Sequence, residues 1–280
     1  MTYQDLLGWG KQCLEEASIE DSALDAWYLL EYVSDMSRSQ YFLKTRDTVD
    51  EKQQEEYEAL IRRRQQRIPL QHLTNQAFFM GFEFYVNDQV LVPRQDTECL
   101  VEEVLKIARP GMKILDMCTG SGCILISLLK MQKGLTGTGA ELSETALFVA
   151  HKNAEALEVD AKFVHSNLFE QISETYDIIV SNPPYIPTGV IRGLQPEVRD
   201  HEPFMALDGR EDGLYFYEQI IAQGSKHLNP NGWMCFEIGY DQGEAVSRIF
   251  REHGYIKIQV LKDLAGLDRV VTAQIPDAWK

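Results

Sequence analysis

The sequence predicts an α/β fold in which a small N-terminal bundle of helices precedes a seven-stranded, mostly parallel sheet. Two patterns lead to this prediction. After Gly111, short apolar runs alternate with helical stretches, which is typical of parallel strands joined by crossover helices. Up to about Gln71, apolar residues recur instead at helical spacing. A chain of 280 residues has room for one main domain and a smaller appendage.

The N-terminal segment is predicted to be a helical domain over residues 1–75. Thr2 is placed to cap a first helix, and Thr48 with Glu51 has the spacing of a capping box. Pro69 must end the helix that follows, because its ring removes a donor and disfavours helix in the residue before it. Two apolar stripes predict the buried faces: Ala23, Ala26, Trp27, Leu30 and Val33, and then Tyr57, Leu60 and Ile61.

A β-hairpin linker is predicted over residues 76–92, and the main domain over residues 93–280. Aromatic and β-branched residues dominate the linker, and Gly81 and the Asn87-Asp88 pair are turn signals. The strands of the main domain are predicted at residues 113–116, 138–141, 162–165, 177–182, 233–238, 256–261 and 270–274.

The balance of charge argues against nucleic acid and lipid surfaces as general partners. The chain has 43 acidic and 27 basic residues, and its net charge of -16 opposes attraction to phosphate backbones and anionic membranes. One local basic cluster consists of Arg62, Arg63, Arg64 and Arg67. It is either a binding patch or a solvated helix face near a helix C-terminus.

The five cysteines predict reduced thiols and no metal site. They are odd in number, they lack CxxC spacing, and no histidines accompany them at metal-ligand spacing. No apolar run approaches the ~20 residues that a membrane span needs, and the N-terminus lacks a signal or transit pattern. We therefore expect a cytoplasmic protein with no membrane partner. We also expect a monomer, although no sequence pattern determines the oligomeric state.

A glycine-rich turn between a predicted strand and a predicted helix is the first sign of a binding site. Such a turn lets the backbone approach a ligand and directs helix N-terminal amides at it, although it also serves as a plain tight turn. Glu141 ends the next strand, where a carboxylate can accept hydrogen bonds from both hydroxyls of an adenosine ribose. These features predict a nucleoside cofactor, either a dinucleotide or S-adenosylmethionine. The turn consists of Cys118, Thr119, Gly120, Ser121 and Gly122.

The sequence Asn182-Pro183-Pro184-Tyr185 follows another predicted strand, at the sheet edge where ligands bind in open α/β folds. An amide nitrogen is a poor nucleophile, so acceptors must hold its hydrogens and restore electron density to it. The Asn182 side chain and the Pro183 carbonyl can supply them, and two prolines preset the backbone. Tyr185 can stack on a flat amide or base. The tetrapeptide therefore predicts methyl transfer to a planar nitrogen, without a metal.

Taken together, the turn, Glu141 and the tetrapeptide resemble class I, Rossmann-like methyltransferases that act on amide or exocyclic nitrogens. Further blocks narrow the resemblance to the peptide chain release factor glutamine methyltransferase family, the HemK or PrmC type. These blocks are residues 68–73, 92–98, 202–203, 206–209, 212–214, 237–239 and 268–270.

The resemblance implies an enzyme that transfers a methyl group from S-adenosylmethionine, leaving S-adenosylhomocysteine. The implied acceptor is the glutamine of the Gly-Gly-Gln loop in class 1 release factors, held partly by the helical domain. The implied cofactor residues are the turn residues 118–122 with Glu141, Asn167, Leu168 and Asn182. The implied substrate residues are Arg94, Asn182, Pro183, Pro184 and Tyr185. Arg94 is equally well explained as a structural partner of Glu98 or Glu202.

Four residues depart from the family pattern. Cys118 replaces the first glycine of the turn, so its side chain must point away from the cofactor. Asn167 replaces an aspartate beside the adenine, and Asn75 and Gln95 replace a glycine and a proline. Three alternatives remain open: a ribosomal-protein glutamine methyltransferase, a nucleic-acid methyltransferase acting on exocyclic amines, and a binding protein that has lost the cofactor.

Overall fold

The computed structural model describes residues 1–277, which form two compact units. The first unit combines residues 1–76 with residues 195–201. The second unit combines residues 77–194 with the chain from Glu202 onward. The grouping of residues 195–201 with the first unit was not predicted, because nothing in their local sequence marks them as part of the helical unit.

Helices of the first unit surround one apolar core. Leu6, Leu30, Tyr57 and Ile61 are almost completely buried in it. Because these residues recur at helical spacing, each helix presents one apolar face inward. The helices are Tyr3–Glu16 (α1), Ser22–Ser34 (α2), Arg38–Lys44 (α3), Glu51–Gln65 (α4) and Leu70–Thr74 (α5).

Capping follows the prediction at one helix and departs from it at another. The Thr2 hydroxyl accepts from the backbone amide of Asp5 at the start of α1, in a capping box. At the start of α4 the cap is Asp50, which accepts from the amides of Lys52 and Gln53. The predicted cap at Thr48 is therefore wrong, because a carboxylate next to the helix start competes better for the free amides.

Most arginines of the basic cluster form ion pairs inside the first unit. Arg64 is buried, and its guanidinium lies 2.7 Å from Asp25 and 2.9 Å from Glu197. Arg67 reaches the same Glu197 at 2.9 Å, and Arg62 pairs with Glu58 one turn earlier. Glu197 explains why residues 195–201 group with this unit. The cluster therefore stabilises the fold, and the buried Arg64 fits neither a binding patch nor the solvated helix face that the sequence suggested.

The second unit is built on a seven-stranded sheet, which confirms the predicted fold class. Its strand order is β5-β4-β3-β6-β7-β9-β8, and strands β3 to β7 run parallel. Strand β9 runs antiparallel to both β7 and β8. The strands are Lys113–Met117 (β3), Thr136–Glu141 (β4), Lys162–His165 (β5), Tyr176–Ser181 (β6), Leu228–Glu237 (β7), Ile256–Lys262 (β8) and Asp268–Gln274 (β9), after a separate hairpin of Gln76–Phe79 (β1) and Phe82–Tyr85 (β2).

Helices cover both faces of this sheet because successive strand residues point to opposite sides. Ile114 packs with one group of helices, whereas its neighbour Leu115 packs with the other. The remaining helices are Gln95–Ile107 (α6), Cys123–Met131 (α7), Glu144–Ala156 (α8), Thr188–Ile191 (α9), Pro196–His201 (α10, in the first unit), Phe204–Leu207 (α11), Tyr215–Gly224 (α12) and Gly243–Glu252 (α13). Leu100 of α6 and Leu125 of α7 lie on the first face, and Ile220 of α12 lies on the second.

The predicted hairpin forms, and it packs into the second unit. Phe79 and Phe84 are fully buried in the same cluster as the helices of the first sheet face. Asn153 of α8 bonds both backbone groups of Tyr85, at 2.7 and 3.0 Å, and also the Ser121 carbonyl. The hairpin therefore belongs to the core of the second unit. Within residues 1–277, no helix has the length and apolar character that crossing a membrane requires.

Candidate active site

One cleft of about 970 Å³, including its open mouth, lies at the carboxyl edge of the sheet. Strands β3, β4 and β6 are adjacent and parallel, so the loops that follow them meet at this edge. Predicted residues that line the cleft are Arg94, Cys118, Thr119, Gly120, Ser121, Glu141, Asn167, Leu168, Asn182 and Pro184.

The two glycines of the glycine-rich turn serve different purposes. Gly120 has φ of +54° and lines the cleft, and a side chain added there would meet open space. Gly122 has φ of +80°, and an added Cβ would lie 2.9 Å from Ile126 and 3.3 Å from Ala150. Gly120 thus leaves room for a ligand, whereas Gly122 permits α7 and α8 to pack closely. Gly122 is not among the residues that line the cleft in the described chain.

Cys118 occupies a glycine-like position at φ of +60°. Its side chain packs against the larger core of the second unit, although the residue still borders the cleft. Burial raises the pKa of the Cys118 thiol well above its usual value, and Glu141 and Asp116 add to the shift. The thiol is therefore protonated and behaves as a small apolar group. This arrangement keeps the turn close to the cleft despite the side chain.

The buried carboxylate of Asp116 holds the glycine-rich turn against the strand that precedes it. Asp116 is completely buried at the end of β3, and it accepts a 2.5 Å hydrogen bond from the Thr119 hydroxyl. Burial raises the pKa of Asp116 to about 7. The contact fixes the start of the turn relative to the strand.

Three backbone amides hold the carboxylate of Glu141. One oxygen accepts from Gly120 at 3.0 Å, and the other accepts from Leu142 at 2.8 Å and Ser143 at 3.0 Å. The first of these bonds joins the ends of β3 and β4. A half-exposed carboxylate fixed in this way beside a cleft is preorganised to accept hydrogen bonds from a ligand hydroxyl pair.

Asn167 and Leu168 follow β5 and border the same cleft. The Asn167 side-chain nitrogen donates to Glu170 at 2.9 Å, so its oxygen remains free to accept. An amide oxygen can accept from an adenine amino group, as an aspartate would, but without the charge. Leu168 has φ of +50°, and its carbonyl accepts from the Ser166 hydroxyl at 2.6 Å.

Asn182 lies at the end of β6 and points its amide at a residue that the sequence did not assign. Its nitrogen donates to the Thr97 hydroxyl of α6 at 3.3 Å. Thr97 is buried, and it also lines the cleft. Because the amide nitrogen is engaged, the Asn182 oxygen is left as the group that can accept. Thr97 belongs to one of the blocks that carried the family resemblance, and this was its only signal in the sequence.

Of the other residues of the tetrapeptide, one borders the cleft and another anchors the loop to the rest of the unit. Pro184 borders the cleft, whereas Pro183 and Tyr185 are not among its lining residues in the described chain. The Tyr185 hydroxyl donates to Glu237 at 3.2 Å, and its carbonyl accepts from the Gln242 side chain at 3.0 Å. Tyr185 therefore anchors the loop in this structure, and its stacking on the acceptor stays a prediction.

Two further glycines let a neighbouring loop pack against the tetrapeptide. An added Cβ at Gly213 would lie 2.3 Å from the Tyr185 carbonyl oxygen, and one at Gly209 would lie 2.8 Å from Tyr185. The Gly209 amide also donates to the Ile186 carbonyl. Only glycine fits so close to another backbone. These contacts explain why residues 206–214 stand out in the sequence although few of them border the cleft.

Arg94 is a structural partner of Glu202, as one of the two interpretations of the sequence predicted, and it also borders the cleft. It lines the cleft, and its guanidinium lies 2.6 Å from the buried carboxylate of Glu202. Glu202 also accepts from the Val92 amide at 3.1 Å. Burial raises the pKa of Glu202 even though Arg94 opposes the shift. The other proposed partner, Glu98, instead accepts from the Met80 amide.

Several apolar lining residues were not assigned to the site, and two of them, Phe216 and Met205, belong to none of the sequence blocks quoted for the family. Phe216 of α12, Met205 and Ala206 of α11, and Pro203 close one side of the cleft. Their contribution depends on how α11 and α12 fold back over the sheet edge. In residues 1–277 no group of three or more His, Cys, Asp or Glu side chains is arranged to hold a metal ion.

Comparisons with known proteins agree with this architecture. The PrmC N-terminal domain profile matches residues 5–74, and the methyltransferase small domain profile matches residues 95–191. A methyltransferase structure from Pyrococcus furiosus has a TM-score of 0.54 at 17% identity, covering 70% of this chain and 90% of that one. At this identity the likeness concerns the fold alone.

Curated relatives match over almost the whole chain. The release factor glutamine methyltransferase of Geobacter sulfurreducens is 37% identical over 275 residues, covering 98% of this chain and 97% of the relative. The protein of the same name from Agrobacterium fabrum is 39% identical over 267 residues, covering 92% of each chain. The chain therefore belongs to the release factor glutamine methyltransferase family.

Proposed function

We propose that this protein methylates the side-chain amide nitrogen of the glutamine in the Gly-Gly-Gln motif of class 1 peptide chain release factors. The methyl donor is S-adenosylmethionine, and the product is S-adenosylhomocysteine. The observation that carries the chemistry is the orientation of Asn182, whose nitrogen is engaged by Thr97 and whose oxygen is therefore free to accept. The release factor as substrate is supported by the names of the relatives.

The cleft fits the cofactor in three respects. Gly120 leaves open space beside the turn, Glu141 presents a fixed carboxylate, and Leu168 adds an apolar surface beside Asn167. Glu141 would accept from the ribose hydroxyls, and Asn167 and Leu168 would flank the adenine. When bound, S-adenosylmethionine supplies a methyl group activated by the neighbouring sulfonium charge.

The protein's own residues supply orientation and polarisation. The Asn182 oxygen would accept one hydrogen of the substrate amide, and the carbonyl of Pro183, which lies between the lining residues Asn182 and Pro184, would accept the other. Both acceptors are set before substrate binds, because the prolines restrict the backbone and Thr97 restricts the side chain. Holding both hydrogens turns electron density toward the nitrogen. Arg94, which lines the cleft, would contact the substrate.

The helical unit is proposed to dock the protein substrate. Leu24, Tyr28 and Tyr32 are exposed and lie four residues apart along α2, so they share one face of the helix. Exposed aromatic residues at helical spacing are typical of protein-binding surfaces. Replacing Tyr28 and Tyr32 with serine should raise KM for the release factor and leave KM for the cofactor unchanged.

Labelled S-adenosylmethionine distinguishes the candidate substrates. The enzyme would be incubated separately with a release factor, the same factor carrying alanine in place of the motif glutamine, a ribosomal protein and nucleic acid. We expect label only in the unmodified release factor, and fragmentation mass spectrometry should place it on the glutamine side chain. Label confined to the ribosomal protein or to nucleic acid would reject the proposed substrate.

A further inference from the structure

The side-chain amide of Gln242 is buried next to the tetrapeptide and does not border the cleft of the described chain. Gln242 lies in the loop between β7 and α13, and it is 7% exposed. Its nitrogen donates to the Tyr185 carbonyl at 3.0 Å and to the Gly213 carbonyl at 3.3 Å. Its oxygen accepts from the Gly239 amide at 2.9 Å and from the Tyr217 hydroxyl at 3.4 Å. These contacts use both hydrogens and both lone pairs of the amide, so they determine its orientation.

Two glycines leave the space that this amide occupies. An added Cβ at Gly213 would lie 2.7 Å from the Gln242 nitrogen, and one at Gly239 would lie 3.0 Å from the Gln242 oxygen. Gln242 directly precedes α13, but its side chain makes no capping hydrogen bond to that helix. A buried amide is costly unless its hydrogen bonds are satisfied. Here the partners and the surrounding space both fit this one side chain, which joins three loops instead of capping a helix.

The tetrapeptide needs an anchor because its prolines fix only part of the backbone. The rings of Pro183 and Pro184 set φ, whereas ψ of each residue is still able to turn the peptide unit that follows. Rotation about ψ of Pro183 would turn the carbonyl that is proposed to accept from the substrate. Asn182 is held through its side chain at the start of this segment. Gln242 holds the Tyr185 carbonyl at the other end, so the peptide units between them are restrained from both sides.

We propose that Gln242 is a positioning residue for methyl transfer, which fixes the backbone of the tetrapeptide against the loop of residues 212–214. The inference rests on the proposed function for the identity of the acceptor amide. The same loop leads into α12, whose Phe216 borders the cleft. One uncharged side chain therefore aligns the edge that holds the acceptor with one wall of the cleft, without touching the substrate.

Gln242 complements a second anchor that can change its charge. The Tyr185 hydroxyl donates to Glu237 at 3.2 Å, and burial raises the pKa of Glu237 to about 7. That contact changes its character within the neutral pH range. The amide of Gln242 neither gains nor loses a proton there, so its hold on the Tyr185 backbone is the same on both sides of that pKa.

The test compares two matched pairs of variants in the full-length enzyme, with a release factor as substrate. Gln242→Met keeps the approximate length of the side chain and removes its hydrogen-bonding groups. Gln274→Met is its control, because Gln274 is also buried and its nitrogen also donates to a backbone carbonyl, that of Asn231 at 2.8 Å. Gln274 is not among the residues that line the cleft in the described chain.

The second pair disturbs the same contact from the other side. Gly213→Ala would place a methyl group against the Gln242 nitrogen and the Tyr185 carbonyl, whereas Gly81→Ala would meet nothing within 4 Å. Both glycines have φ of +78°, so the two substitutions carry similar backbone strain. The pair therefore isolates the effect of displacing the contact.

We expect Gln242→Met and Gly213→Ala each to lower kcat by about 10²-fold, the cost of a misplaced catalytic geometry. KM for the release factor should change less than kcat. Affinity for S-adenosylhomocysteine, measured by calorimetry, should be unchanged, because other backbone amides hold Glu141 at the cofactor end. The two control variants should lose stability in denaturant unfolding and keep the kcat of the unmodified enzyme.

Four results would overturn the inference. They are equal kcat for the two methionine variants, equal kcat for the two alanine variants, a fall in cofactor affinity by the same factor as kcat, and a Gln242→Met protein that does not fold. The last result would assign Gln242 a structural role instead. Failure of the proposed function looks different, because the unmodified enzyme would then leave the release factor unlabelled. The same variants would in that case be compared on whichever substrate accepts the label.

Discussion

The carboxylate of Glu141 accepts a 3.0 Å hydrogen bond from the backbone amide of Gly120, across the ends of two neighbouring strands. This bond ties the glycine-rich turn to the residue proposed to bind the ribose. The amides of Leu142 and Ser143 complete the set around the same carboxylate. The cofactor end of the cleft is therefore built before a ligand arrives, and it should respond sharply to loss of charge.

Glu141→Gln should weaken binding of S-adenosylhomocysteine by roughly 10- to 100-fold, because charge-assisted hydrogen bonds are replaced by weaker neutral ones. Isothermal titration calorimetry measures this directly. Glu144→Gln is the control, since Glu144 is a highly exposed acid three residues later. Equal affinities for the two variants would remove Glu141 from the cofactor site.

Gly120→Ala should mainly weaken cofactor binding, whereas Gly122→Ala should mainly lower the stability of the fold. The first adds a methyl group in open space beside the cleft, so it should reduce cofactor affinity more than stability. The second adds a methyl group 2.9 Å from Ile126 and should cost about 2 kcal/mol of stability or more, through strain and overpacking. Denaturant unfolding measures the stability of both variants, and calorimetry measures their cofactor affinity. Equal losses of stability and of affinity in the two variants would contradict the different roles assigned to Gly120 and Gly122.

Asn182→Ala should lower kcat by about 10²- to 10³-fold, the usual effect of removing one preorganised hydrogen-bonding group. Folding should be preserved, because the side chain makes a single hydrogen bond at 3.3 Å. Single-turnover methylation and far-ultraviolet circular dichroism measure the two quantities. Near-normal turnover would refute the mechanism.

Arg64→Ala should destabilise the helical unit by about 3 kcal/mol, because it leaves the buried Asp25 without its cation and leaves Glu197 paired with Arg67 alone. Arg62→Ala is the matched control two residues earlier. Its ion pair with Glu58 is exposed, so its removal should cost under about 1 kcal/mol. Chemical denaturation of both variants, followed by tryptophan fluorescence, tests the difference, and equal stabilities would contradict the proposed structural role.

Stability should depend on pH through Glu237. Its pKa is about 7 in the folded chain and about 4.3 in an unfolded one, so the folded state binds the proton more tightly. The stabilisation from that proton is complete below about pH 4.3 and disappears as the pH rises through 7. Glu237→Gln lacks this loss, so its stability relative to the unmodified protein should grow by about 3 kcal/mol from pH 4.5 to 8. A difference in the free energy of unfolding between the two proteins that stays constant with pH would exclude a raised pKa of Glu237.

Local sequence patterns were sufficient for the sheet and for much of the cleft. Apolar runs predicted all seven strands, although β7 begins at Leu228, earlier than the predicted residue 233. The early start includes Pro230 and Gly232, which local propensity assigns to a turn. The structure also brings together the turn, Glu141, Asn167 and Asn182, because their strands are adjacent and parallel.

Contacts between distant segments could not be predicted in the same way. Thr97 and Asn182 are 85 residues apart, and Arg64 and Glu197 meet although most of the second unit's sheet lies between them in sequence. Local periodicity carries no information about such pairs. Tyr185 shows the same limit, since its hydroxyl bonds a residue 52 positions away.

The sequence by itself determined the fold class, the place of the cleft and the identity of the methyl-transfer motif, because strand and helix periodicity and short motifs are local properties. Only the tertiary structure decided which atom of Asn182 bonds Thr97, where Tyr185 is anchored and why Gly122 must be glycine. Those features depend on side chains that meet across the sheet edge, and their hydrogen bonds and packing exist only after the chain has folded.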